Sequence, residues 1–402
     1  MRFNIRYRNG QRKPFQLIYR DNNYRRRSKQ FATQQEAQIW IQRNGSDILD
    51  GTHVPDRASV TVKEAGQQWL DAAELSGLER STTEGYETHL RLHIYPFLGS
   101  IRLSNLTVPG VRKFEDQLRA NGRSHAMVRK VLVTLGTMLA DAVERGLAAK
   151  NPVRDMKRNR RRGNDARKAK LQVGVDIPTP DEISRILAAA EGKWRPMLVT
   201  LIFTGLRSSE LRALQWSDID LEKGVIRVRQ RVDRAGHFGP PKSAAGTRSI
   251  PVGRFVTNTL REWKIAAPPL KPGAPKIDLV FPNREGRAIS HTDLVYQGLC
   301  PTLHKAGIVT ATTDAEGKVV TGKNGRPEYQ GRYTGTHAFR HFYASWCINR
   351  RADGGLELPP KVVQTRLGHS TVSMTLDTYG HLFPPTDDVD LLSAGEMALL
   401  RG

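Results

Sequence analysis

The sequence predicts a multi-domain, mainly α-helical protein. It comprises a small N-terminal three-stranded β-sheet plus a helix, a bundle of four helices, and a mostly α C-terminal domain with a small β-sheet. Three observations predict this. At roughly 150 residues per domain, 402 residues are too many for one core. Apolar residues alternate before Phe31 but recur at helical spacing after Thr33. A charged stretch without periodicity, 154–178, divides two periodic regions and ends at Pro178.

Phe3, Ile5 and Tyr7 alternate with polar neighbours, as do Phe15, Leu17 and Tyr19, and the turn-prone Asp21-Asn22-Asn23 separates this second run from a third at 24–31. Thr33 with Glu36 is a capping-box signature for a helix presenting Ala37, Trp40 and Ile41 to the sheet. From residue 60 the pattern is amphipathic and helical. Thr61/Glu64 opens a helix with Ala65 and Trp69, and Ser81/Glu84 opens one with Tyr86, Leu90 and Ile94. Val111, Phe114 and Leu118 mark a third, and Val128, Leu132, Leu135, Leu139 and Val143 a fourth that stops at Gly146. Thr179-Pro180-Asp181-Glu182 combines a cap, a proline at the first helical position and acids at the positive helix end, so a new domain starts there. Helices run to about Leu214, strand-like runs follow at 225–231 and 247–252, and helices return at 255–263 and 292–305. Residues 310–335, with Gly317, Gly322, Gly325 and Pro327, read as a polar loop or hairpin, and Leu391, Leu392, Met397, Leu399 and Leu400 form an apolar tail. The resulting boundaries are 1–55, 60–153, a basic linker 154–178, and 179–402.

Lys and Arg exceed Asp and Glu by 23 charges, so the expected partner is a polyanion. A hydrophobic share of 38% argues against wholesale disorder. Residues 1–50 hold eleven basic against four acidic residues, and residues 154–170 nine against two. Arg6, Arg8, Arg25, Arg26, Arg27 and Lys29 are expected to decorate the sheet, whose guanidinium-bearing face can enter a DNA groove. Arg158, Arg160, Arg161 and Arg162 lie in the linker, where they can track a phosphate backbone. Cys300 and Cys347 are the only cysteines, which excludes a disulfide framework and a four-cysteine zinc finger and fits a reducing cytosol. With no signal-peptide pattern and no 18-residue apolar run, the expectation is a cytoplasmic protein, nucleoid-associated when bound to DNA, with no membrane contact.

Four strings in the last domain combine cations, imidazoles and a phenol: Thr204-Gly205-Leu206-Arg207-Ser208-Ser209-Glu210; Pro240-Pro241-Lys242-Ser243; Thr336-His337-Ala338-Phe339-Arg340-His341; and Leu367-Gly368-His369-Ser370, followed by Thr378-Tyr379-Gly380. Each alone is an ordinary surface or core residue pattern. As an ordered set, Arg, Lys, His-x-x-Arg, His, Tyr, they resemble the tyrosine recombinase family, specifically phage-type and mobile-element integrases, over almost the whole chain.

The resemblance implies a site-specific recombinase that cuts and rejoins DNA through a 3′-phosphotyrosyl intermediate to integrate or excise a mobile element. By the same resemblance, Arg207 and Arg340 grip the scissile phosphate, Lys242 protonates the departing 5′ oxygen, and His337 manages the nucleophile's proton. His369 donates to the phosphate, Tyr379 is the nucleophile, and Glu210 supports Arg207. It also casts 1–55 as an arm-type DNA-binding module, 60–153 as a SAM-like core-binding module, and the tail as an exchange helix. The implied partners are double-stranded DNA at core-type and arm-type sites and a homo-tetramer on that DNA, with a DNA-bending protein and a directionality factor as further candidates.

Physical chemistry supports the same roles. Charge that accumulates on phosphate oxygens is stabilised chiefly by fixed cations, and bidentate guanidinium suits phosphate geometry. A phenol with an ordinary pKa of about 10 needs a base and a charged pocket to attack. Covalent storage of the phosphodiester bond permits rejoining without a cofactor, so none is expected. Two-metal chemistry needs clustered carboxylates, whereas Asp218 and Asp220 stand in a turn without a second acidic cluster. His337 and His341 have the spacing of a zinc helix, but Ala338 stands where that motif needs glutamate, so no metal is expected and His341 reads as a packing neighbour. Two other functions are compatible with parts of this pattern: a type IB topoisomerase-like nicking enzyme and a catalytically inactive DNA-binding regulator.

Overall fold

The computed structural model describes residues 3–20, 25–50, 53–55, 59–156, 170–275, 277–314, 317–321, 325–383 and 389–400. Arg158, Arg160, Arg161 and Arg162, the turn at 21–23 and Gly322 lie outside the described residues. The chain divides into two compact units, Met1–Gly163 and Asn164–Gly402.

In the first unit, β1 (Phe3–Tyr7), β2 (Phe15–Arg20) and β3 (Arg26–Phe31) form the predicted antiparallel meander, in the order β1-β2-β3. Helix α1 (Gln34–Asp50) starts where Thr33 accepts the Glu36 N–H, and it covers one sheet face, burying Leu17, Tyr19, Phe31, Ala37 and Ile48 together.

The strand register corrects the expectation for the basic residues. Leu17 pairs with Lys29 and Tyr19 with Arg27, so Lys29 and Arg27 share the face that α1 covers, and the Lys29 ammonium lies 5.3 Å from the centre of the Trp40 ring. Arg6, opposite Gln16, and Arg26, opposite Arg20, occupy the other face. Arg8 and Arg25 lie beyond the strand ends. Consecutive strand residues point to opposite sides, so Arg26 and Arg27 take opposite faces of the sheet. Exposed Arg20, which the charge reading passed over, joins Arg26 on the open face.

The helical part of this unit comprises α2 (Val62–Leu75), α3 (Arg80–His89), α4 (Tyr95–Leu98), α5 (Val108–Ala120), α6 (His125–Glu144) and the short α7 (Pro152–Asp155). The Thr61/Glu64 capping box forms in full, with the Thr61 N–H donating to the Glu64 carboxylate at 2.7 Å. The Ser81/Glu84 box does not. Helix α3 begins two residues earlier than that box requires, with Glu79 at its N-cap; Ser81 donates to the Glu79 carboxylate, and Glu84 pairs with Arg80 instead. A π-helical turn, Leu90–Ile94, joins α3 to α4 and turns both of its end residues into the core beside Val111, Phe114, Leu118, Leu135 and Met138.

The second unit opens with α8 (Pro180–Ala189), capped reciprocally by Thr179 and Glu182 as the sequence predicts. Next come α9 (Trp194–Thr204) and α10 (Ser208–Arg212). Helix α9 is apolar on nearly all sides and is buried from Met197 to Ile202, as a helix without a polar face must be. Strands β4 (Ile219–Asp220), β5 (Val225–Val228) and β8 (Arg248–Pro251) make the small antiparallel sheet, and β6 (Arg231–Val232) with β7 (Phe238–Gly239) makes a hairpin inside the β5–β8 connection. Then follow α11 (Arg254–Ala266), α12 (His291–Asp293) and α13 (Cys300–Lys305), the last two joined by a π-helical turn.

The 310–335 region is a hairpin of β9 (Val309–Ala311) and β10 (Tyr329–Gly331), after which the Tyr333 hydroxyl donates to Glu182 at 2.6 Å and anchors it to α8. The chain continues with α14 (His337–Ile348), α15 (Pro360–Leu367), α16 (Val372–Tyr379) and α17 (Val389–Leu400). Helix α17 contains the predicted apolar tail, with Leu392, Met397, Leu399 and Leu400 exposed; the Leu391 side chain lies outside the described residues. No helix among the described residues is long and apolar enough to cross a membrane.

Candidate active site

The site is built where four separate strings meet in the second unit. Helix α9 ends at Gly205, which has φ of 62°, and a Cβ there would stand 2.5 Å from the Tyr343 ring. Only glycine permits both the left-handed turn and the close approach. That turn buries Leu206 and puts Arg207 at the N-cap of α10.

Arg207 donates its backbone N–H to Glu210 at 3.0 Å and its Nη1 to the same carboxylate at 2.8 Å. Arg248, from β8, grips Glu210 from the other side, with Nη2 to Oε2 at 2.8 Å and Nη1 to Oε1 at 3.2 Å, and both side chains are 2% exposed. Arg248 also donates to the carbonyls of Gly246, at 2.9 Å, and Arg366, at 2.8 Å. Burial acts to raise the Glu210 carboxyl, but the bonds and charges of Arg248 and then Arg207 outweigh it and hold the group below its ordinary value. The carboxylate is therefore ionised.

Arg340, on α14, donates to the Gly205 carbonyl at 2.7 Å and to the Leu367 carbonyl, so its guanidinium ties the first string to the fourth. Burial, and then the nearby Arg207 charge, lowers its pKa to about 9, which leaves it cationic at neutral pH. His337 and His341 stand one turn apart with ring centres 4.6 Å apart, edge to face. The Tyr379 hydroxyl, at the end of α16, hydrogen-bonds His341 Nδ1 at 2.7 Å, and its ring lies parallel to that of His369. His369 Nδ1 meets the Thr375 hydroxyl at 2.9 Å.

All three imidazoles are pulled below the ordinary histidine value, first by burial and then by neighbouring positive groups, with His341 and His369 each at about 4. Burial pushes Tyr379 up to about 12 against the pull of Arg340 and Arg207. At neutral pH the site thus holds fixed cations, uncharged imidazoles and a protonated phenol. Arg207 and His337 face a cavity of about 330 Å³, also lined by Ser208, Ser209, His291 and Thr336.

The structure brings together Arg207, Glu210, Arg340, His337, His341, His369 and Tyr379. Lys242 is exposed on the connection between β7 and β8, four residues before the Gly246 carbonyl that Arg248 anchors. One reading is corrected: His341 is the hydrogen-bond partner of the Tyr379 hydroxyl rather than only a packing neighbour. Sequence reasoning also missed Arg248. The available signal was its parity with buried Ile250 in β8, since a cation on the inward side of a strand demands an acid. Asp218 is buried against Arg229, and Asp220 accepts the Lys223 N–H at 2.9 Å. Among the described residues no group of three or more His, Cys, Asp or Glu is placed to hold a metal ion.

A mainly helical domain in which two arginines, three imidazoles and a buried tyrosine from four separate strings meet matches the arrangement of the tyrosine class of DNA strand-exchange enzymes. Residues 178–384 match the phage integrase family and residues 61–119 the phage integrase N-terminal SAM-like domain; the chain belongs to the phage integrase family. It is 26% identical over 392 residues to a tyrosine recombinase XerC-like protein of Caldanaerobacter subterraneus subsp. tengcongensis, with 91% of each chain covered. It is 24% identical over 282 residues to the prophage integrase IntR of Escherichia coli, covering 69% of this chain and 62% of that one. Among solved structures, the Tn1549 transposon integrase in complex with a circular intermediate DNA shares the fold with a TM-score of 0.63 at 21% identity, over 85% of this chain and 100% of that one. A lambda integrase dimer bound to a COC′ core site matches with a TM-score of 0.56 at 17% identity, over 96% of this chain and 97% of that one.

Proposed function

We propose that this site-specific DNA recombinase integrates or excises a mobile element by transferring a DNA strand to Tyr379 and from there to a new 5′ hydroxyl. The observation that carries the reading is the buried Tyr379 hydroxyl, hydrogen-bonded to His341 beside the cations Arg340 and Arg207. Arg207 and Arg340 take the non-bridging oxygens of the scissile phosphate, where charge builds in the transition state. His337, facing the same cavity as Arg207, and His369, stacked on the nucleophile, complete the donor set. Lys242 protonates the departing 5′ oxygen, and its exposed position on a strand connection lets it reach bound DNA. All catalytic positions are occupied, which speaks against an inactive regulator.

Lys242→Ala is expected to slow cleavage by about 10²–10⁴-fold, the usual contribution of a general acid. A 5′-bridging phosphorothiolate, whose sulfur leaves without a proton, restores the rate in a single-turnover cleavage assay. A variant that stays slow on the sulfur substrate removes Lys242 from this role.

The recombinase acts in the cytoplasm as a tetramer on double-stranded DNA. Residues 1–55 bind arm-type sites, 60–153 and the basic linker 154–178 bind core-type sites, and 179–402 carries catalysis and the exchange helix α17. On the sheet, the open face with Arg6, Arg20 and Arg26 meets the phosphates. Arg20→Ala and Arg26→Ala each reduce the salt dependence of arm-site binding by about one unit of slope, as expected for one lost phosphate contact. Unchanged slopes in a salt titration would assign DNA contact to the other face.

A further inference from the structure

We propose that His341 is the base that receives the Tyr379 proton as the phenol attacks DNA. The inference deepens the reading of Tyr379 as nucleophile and rests on it. Three observations carry it. His341 Nδ1 is 2.7 Å from the Tyr379 oxygen, within the range of a hydrogen bond that can become a proton transfer. Tyr379 is 1% exposed, so bulk water does not reach its hydroxyl to take the proton. His337, the alternative imidazole, packs edge to face against His341 and lines the cavity with Arg207, which places it toward the phosphate instead.

The proton balance is complete within the site. The Tyr379 O–H bond breaks and its proton goes to Nδ1 of neutral His341. The phenolic oxygen forms the new bond to phosphorus, the bond from phosphorus to the 5′ oxygen breaks, and that oxygen takes a proton from Lys242. Rejoining runs the same transfers backward, with His341 returning its proton to the leaving phenol. Burial, His337 and Arg340 together hold His341 well below the ordinary histidine value in the DNA-free protein, to about 4. A phosphodiester anion seated between Arg207 and Arg340 offsets part of this positive field, so His341 becomes a stronger base only once substrate is in place.

The test uses the full chain and a nicked suicide duplex made from the DNA flanking its own coding sequence. His341→Ala and His341→Asn are each expected to form the phosphotyrosyl adduct about 10²–10⁴-fold more slowly at unchanged DNA affinity. Asparagine preserves a hydrogen-bond acceptor without accepting a proton, so it separates basicity from packing. Incorporating 3-fluorotyrosine at position 379 makes the phenol more acidic and is expected to recover about tenfold or more of the lost rate in both variants, because a more acidic nucleophile depends less on its base. A His341→Asn enzyme within about threefold of wild type, or no recovery with the fluorinated tyrosine, overturns the assignment. If Tyr379→Phe still forms an adduct, the underlying reading of Tyr379 falls too; if only the His341 variants behave as wild type, the inference alone falls.

Discussion

Tyr379→Phe is expected to bind core-site DNA with wild-type affinity and to form no covalent adduct at all. The phenyl ring retains its parallel contact with His369, so the shape of the pocket persists. What disappears is the oxygen that would bond to phosphorus, the one that hydrogen-bonds His341. The substitution also leaves a buried imidazole nitrogen without its partner, which costs about 1–3 kcal/mol. Denaturing gels of a labelled suicide substrate report the adduct, and filter binding reports affinity. A labelled strand that still migrates with polypeptide would remove Tyr379 from the role of nucleophile.

The second large effect comes from a residue buried beneath the site. Arg248→Met is expected to destabilise the catalytic domain by about 3–5 kcal/mol, because it strips a buried carboxylate of its bidentate partner. It also frees the Gly246 and Arg366 carbonyls that Arg248 holds, loosening the Lys242 connection and the end of α15. With one cation gone, Glu210 draws Arg207 more tightly toward itself and away from the phosphate position, so cleavage falls along with stability. The double variant Arg248→Met, Glu210→Gln is expected to be less destabilised than the sum of the single changes, since removing both charges leaves none stranded. Urea midpoints at constant slope measure both quantities. Simple additivity, or a loss below about 1 kcal/mol for Arg248→Met, would mean that the pair does not hold the site together.

Much of the molecule is legible in its residue order, for identifiable reasons. Alternation in 3–7 and 15–20 specifies strands, and the Thr61/Glu64 and Thr179/Glu182 pairs specify helix starts, because these are local hydrogen-bonding and burial requirements met within a few residues. The Ser81/Glu84 signature failed for an equally local reason: Glu79 and Arg80 compete for the same hydroxyl and carboxylate. A count of charge does not show which sheet face each cation takes, because the two-residue strand period sends Arg26 and Arg27 to opposite faces.

Residue order alone establishes a basic, multi-domain, mostly helical chain carrying an ordered Arg, Lys, His-x-x-Arg, His, Tyr set, and the first unit's strands and most of its helix starts follow from neighbours a few positions apart. Packing alone establishes which imidazole meets the phenol, that Glu210 is shared by Arg207 and Arg248, and that Arg340 bridges Gly205 to Leu367. Those partners lie 27 to 135 residues apart for Arg340, and 38 apart both for Arg248 with Glu210 and for His341 with Tyr379. Periodicity and capping report only short-range preferences. Contacts between distant segments depend on how α9, α14, α15, α16 and β8 pack, and that geometry exists only once the apolar core of the catalytic domain has closed around them.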